Sequence, residues 1–151
     1  MIFVPYQLLV IQKNINNLPL VLGVGILFGG LSSMFIGRLS DKNRKGTFAF
    51  GILFLSLIIL AYNFANSLVA VIILQALYGI AFAFYNISEK AIIADLAVER
   101  GKDVGKYATA LYTASGLALI ITGLFVIPSS FIFYIVAIGL LIPNIIILKA
   151  D

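Results

Sequence analysis

Four acidic residues, Glu89, Asp95, Glu99 and Asp103, fall within one stretch of the chain, 89–106. Carboxylates gathered like this could hold a cation or exchange protons with a substrate. They are interleaved with Lys90, Arg100, Lys102 and Lys106. Mixed charge of this kind is normally a solvated face of exposed ion pairs. The rest of the inventory points away from enzyme chemistry. The chain has no histidine and no cysteine. That removes the usual proton shuttle, thiolate nucleophiles, disulfides and most zinc sites. Gly23-x-Gly25 lies inside an apolar run and opens no nucleotide-binding pattern. No catalytic, cofactor or metal site is read, and an enzyme is not expected.

The elements that carry these residues are membrane helices. Of 151 residues, 62% are hydrophobic and 11% charged, and mean hydropathy is +1.14. A soluble domain of this size needs far more polar surface. A span needs about 20 apolar residues. Five such runs are predicted, at about 18–37, 47–62, 68–88, 107–127 and 131–148. Residues 1–12 are apolar but short, and are predicted to be part of a further helix. The fold class expected is all-α: a polytopic bundle of about five transmembrane helices plus an N-terminal partial helix, forming one domain over 1–151. No secretory signal is read.

Charge sets the expected orientation. If the spans alternate, the 38–46 loop, the 89–106 loop and the C-terminus share a side. That side holds nine basic residues, with only Lys13 opposite. Positive loops face the cytoplasm, so the C-terminus is expected inside. The net charge of +4 is therefore a topology signal, and no nucleic-acid partner is expected. Residues 89–106 suit a cytoplasmic extension of the third helix or a short surface helix, with Gly101 and Gly105 as natural breaks before the fourth span.

The spans differ in polarity. The second is nearly all aliphatic and Phe, and the fifth holds little beyond Tyr134, Asn144 and a kinking Pro143; both are expected to face lipid. The third carries Gln75, Tyr78, Tyr85 and Asn86. Gln75, Tyr78, Phe82 and Tyr85 are read near one face, and Gln75, Tyr78 and Tyr85 are the candidate cavity residues. The fourth carries Thr109, Tyr112, Thr113, Ser115 and Thr122. Its hydroxyls either bond their own backbone and neighbouring helices or mark a pathway. In the first span Gly25, Gly29, Ser33 and Gly37 recur every four residues, a stripe that lets another backbone come close. No Asp, Glu, Lys, Arg or His lies in the middle of a span.

Gly37-Arg38-Leu39-Ser40-Asp41-Lys42-Asn43-Arg44-Lys45 resembles the signature loop of the major facilitator superfamily. That pattern reads Gly, any, Leu, small, Asp, basic, any, Gly, basic, basic. Gly37, Leu39, Ser40, Asp41, Lys42, Arg44 and Lys45 match it, and the second Gly is missing. Ala76-Leu77-Tyr78-Gly79, then Ser88 to Leu96, Glu99-Arg100-Gly101 and Gly105-Lys106-Tyr107, look like the family's tenth helix, cytoplasmic loop and eleventh helix. The resemblance covers essentially the whole chain, as helices eight to twelve preceded by the end of helix seven.

The resemblance implies the C-terminal half of a twelve-helix transporter. Helices seven and ten would line the solute cavity, eight and eleven its sides, and nine and twelve the lipid face. Gly37, Asp41, Lys42, Arg44 and Lys45 would belong to the cytoplasmic gate, with Asp41 either meeting a helix N-terminus or capping its own loop. Glu89, Lys90, Asp95 and Arg100 would be the charges of the second cytoplasmic loop. The expected function is transport of a small solute by alternating access, in a prokaryotic cell membrane. The expected partners are the lipid bilayer, the solute, and a second half of the fold or a second copy. Two alternatives stay open: a truncated or split-gene fragment that inserts without transporting, and a membrane module that binds or scaffolds a partner.

Overall fold

A computed structural model of the chain describes residues 15–97, 100–124, 138 and 139. Four helices are described: α1 (Leu18–Lys42), α2 (Arg44–Ala61), α3 (Leu68–Leu96) and α4 (Arg100–Leu124). No strand occurs among the described residues, as the expected all-α class requires. α1, α2 with the turn that follows it, and α3 are each long and apolar enough to cross a membrane. The fourth expected span begins within α4. The fifth, with Tyr134, Pro143 and Asn144, and the segment 1–12 lie outside the described residues, save Ile138 and Gly139.

Local chemistry explains where each helix starts. Pro19 opens α1, where its missing N–H costs nothing. Asn43 alone separates α1 from α2. Its side-chain Oδ1 accepts from Gly46 N at 2.9 Å, and Thr47 Oγ1 donates back to Asn43 O at 2.7 Å. Ser67 caps α3 in the same manner, accepting from Ala70 N at 3.2 Å. Tyr62–Phe64 tighten into a single 3₁₀ turn before the chain reverses.

Two expected loops are therefore mostly helical. Of 38–46, only Asn43 leaves the helix. Of 89–106, α3 takes the residues up to Leu96 and α4 starts at Arg100, so the extension of the third helix is the form observed. Gly101 and Gly105 lie inside α4 and break nothing. The physical reason is length. At 29 residues α3 runs about 43 Å, against a hydrocarbon core of about 30 Å. A membrane helix keeps its backbone bonds as it emerges into water, so the charge boundary and the helix boundary differ by several residues.

α3 is the central element. It packs along α1 and α2, while α1 and α2 touch each other less and α4 touches α3 lightly. Val21, Leu55, Ile58, Ile59, Tyr62 and Val71 form the core near the Ser67 end of the bundle. α2 is the most buried span, with 56% of its most apolar stretch buried against 17% in α1 and 28% in α3. This corrects the expectation, from its lack of polar groups, that it faces lipid. It turns Phe50, Leu53 and Leu57 outward and buries Ile52, Leu55 and Ile59. A helix apolar all round carries no stripe to tell these two faces apart.

Candidate functional site

The groove of interest opens between α1 and α3 and has a volume of about 620 Å³. Its α1 wall is built from Leu22, Gly25, Ile26, Gly29 and Ser33. Its α3 wall carries Gln75, Tyr78, Phe82, Asn86 and Lys90. Volumes of 300–1,000 Å³ are usual for small-molecule sites, as is an apolar lining with a few polar groups.

The closeness of the two walls is set by glycine. A Cβ at Gly29 would sit 3.0 Å from Gly79 O, and one at Gly25 would sit 2.8 Å from Gln75 Nε2. A Cβ at Gly79 would collide outright with the carbonyl of Gly25. Ser33, on the same stripe, donates its hydroxyl to Gly29 O at 2.7 Å. Gly37, the fourth member, faces open space, so the close approach ends a turn earlier than the repeat. Gly51 does for α2 what Gly79 does for α1: a Cβ there would sit 2.6 Å from Tyr85 N. No four-residue repeat marks Gly51 in the sequence.

Gln75 is 5% exposed, and its Oε1 accepts from Tyr62 Oη at 2.5 Å. This bond fixes the amide, leaving the NH₂ end toward the α1 wall beside Gly25. Tyr78 stacks on Phe82 at 6.3 Å with the rings 10° apart. Tyr85 is not on this wall. It turns toward α2, 5.4 Å from the ring of Phe48, and donates its hydroxyl to Glu89. Asn86 takes the place expected of Tyr85. At about 100° per residue, Asn86 lies about 20° from Gln75 around the helix and Tyr85 about 80° away. The full angular sum, carried eleven residues, finds Asn86 from sequence alone.

The charged end of the bundle is more structured than a solvated face. Glu89 accepts from both Tyr85 and Tyr107, joining α3 to α4. Arg44 at the start of α2 pairs with Asp95 at the end of α3. Asp103 and Lys106 form an exposed i,i+3 pair at 3.4 Å. Asp41 and Lys42 are exposed in the last turn of α1, and Lys45 is exposed in the first turn of α2. The N-terminus of α2 is capped by Asn43 and not by Asp41. Thr109 bonds its own backbone at Gly105 O, at 2.9 Å. The side chains of Arg100, Ser115 and Thr122, and all of Glu99, lie outside the described residues. No group of three or more His, Cys, Asp or Glu side chains able to hold a metal occurs among the described residues.

Comparison with known proteins gives the site its context. The family model described as Major Facilitator Superfamily matches residues 1–149. The chain is 33% identical over 130 residues to an uncharacterized MFS-type transporter of Methanocaldococcus jannaschii. That match covers 84% of this chain and 30% of the relative, so the chain spans under a third of the relative's length. No solved structure matches.

Proposed function

This chain belongs to the major facilitator superfamily, and on that premise we propose that it forms part of a secondary transporter that carries a small solute by alternating access. The observation that carries the proposal is the groove between α1 and α3, with Gln75 and Tyr78 on its wall. By the family resemblance α3 corresponds to helix ten, a cavity helix, and α1 to helix eight at its side. The Asn43 and Lys90 end of the bundle faces the cytoplasm in this reading, in keeping with the basic residues gathered there. The chain's C-terminus and the cell membrane as its location belong to the same proposal. The transport unit is completed by a second half of the fold.

The absence of cysteine makes the test direct. Single substitutions Tyr78→Cys, Phe82→Cys and Asn86→Cys are labelled in membranes with a water-soluble maleimide, beside Leu53→Cys and Leu57→Cys on the outward face of α2. The groove positions are expected to react and the α2 positions to stay protected. Equal protection of both sets would remove the solute path and the proposal with it. Native mass spectrometry in nanodiscs, with and without a co-expressed N-terminal half, reads the completing partner.

A further inference from the structure

The polar groups described on the groove wall are few, and each bears a hydrogen-bond donor. Among the described residues no carboxylate lines it, and Lys90 is the one charged residue on its wall. Gln75 has its oxygen occupied by Tyr62 and presents its NH₂. Asn86 adds an amide, and Tyr78 a phenol. Lys90 makes no ion pair among the described residues. The acid next to it in sequence, Glu89, is absent from the groove lining and accepts hydrogen bonds from Tyr85 and Tyr107. The cation is therefore not neutralised by its neighbour. Between Gln75 and Lys90 the α3 wall also carries the apolar Phe82, Ala83 and Ile87, and Leu22 and Ile26 add apolar surface from α1. Fifteen residues of helix separate the two ends, about 22 Å.

From this arrangement we propose that the groove takes an amphipathic organic anion, its apolar body along Phe82 and Tyr78 and its acidic group toward Lys90. A cation at one end of a donor-bearing cleft, with no carboxylate on the wall among the described residues, favours a negative group and disfavours a positive one. The inference rests on the reading of the groove as a solute site, and names its chemical class.

The test is equilibrium binding to the full chain in phosphatidylcholine nanodiscs. The probes are 2-naphthoate, the neutral 2-naphthamide and the cation 2-naphthylmethylammonium, each read against empty nanodiscs. Saturable binding is expected for the naphthoate, above the amide and well above the cation. Lys90→Gln should weaken naphthoate binding about fivefold, the upper range for a solvent-reached ion pair. Lys90→Arg should restore it, and Lys106→Gln should leave it unchanged. Equal binding of the anion and cation, or an indifferent Lys90→Gln, overturns the anion class while the groove stays a binding site. Displacement of naphthoate by phosphatidylglycerol in the nanodisc overturns it in favour of a lipid headgroup. No saturable binding of any probe overturns it as well. Naphthoate binding without uptake into proteoliposomes that also hold the second half of the fold would instead sink the transport reading and keep the anion site.

Discussion

Gly25 and Gly79 bring the backbones of α1 and α3 into direct contact, so that a methyl group added at Gly79 would fall on the carbonyl oxygen of Gly25. Both residues are buried, and the groove begins at this crossing. In a bilayer, lipid tails are as apolar as side chains, and close packing supplies much of the force that holds helices together.

Gly79→Leu is therefore expected to separate the helices and lower stability by about 3 kcal/mol, the cost of a badly overfilled contact. Gly23→Ala, where nothing lies within 4 Å of the added carbon, should leave stability unchanged or slightly raised. Thermal unfolding of the purified variants in one detergent checks both. An unchanged midpoint for Gly79→Leu would show that α1 and α3 do not cross there.

Tyr62→Phe removes the donor to a nearly buried Gln75. The expected loss is about 1 kcal/mol, most of it from the amide oxygen left without a partner. Gln75→Leu combined with Tyr62→Phe removes both ends and should recover part of it. A double-mutant cycle on denaturation midpoints reads the coupling, and strictly additive losses would contradict a bond between the two side chains.

Arg44 and Asp95 form an ion pair whose side chains are 34% and 58% exposed. Solvent screening limits it to less than about 1 kcal/mol. Arg44→Gln and Asp95→Asn should each cost the same small amount, the double variant no more, and 0.5 M salt should erase the difference on the order expected from a Debye length of a few ångströms. A large, salt-insensitive loss would mean that the pair is buried in the working protein.

Glu89 ties α4 to α3 through Tyr107, across a contact that is otherwise light. Hydrogen bonds to a carboxylate are stronger than neutral ones. Tyr107→Phe should raise amide exchange at the start of α4, and Glu89→Ala more so, with little change in α1. Uniform exchange across all variants would show that other contacts hold α4.

The helical class and the family are legible in this chain because apolar runs and a signature loop are local patterns, read over consecutive residues without knowledge of packing. Positions along an element were harder. Steps of three and four put Tyr85 with Gln75 but drift from the true helical angle over ten residues; Asn86 lies where the angle leads. The burial of α2 was not readable, since its faces differ in surroundings and not in residue type. Lys90 looked like one charge among many in a loop. Its place on the groove wall, and the holding of the adjacent Glu89 by tyrosines from two helices, one of them eighteen residues away in sequence, are tertiary facts.

Asn43 has a mechanical consequence. With one residue between Lys42 and Arg44, the facing ends of α1 and α2 stay within about 7 Å of each other. A joint so short has no slack to absorb sliding. The joined ends of the two helices must move together, so any relative motion between α1 and α2 is angular about Asn43.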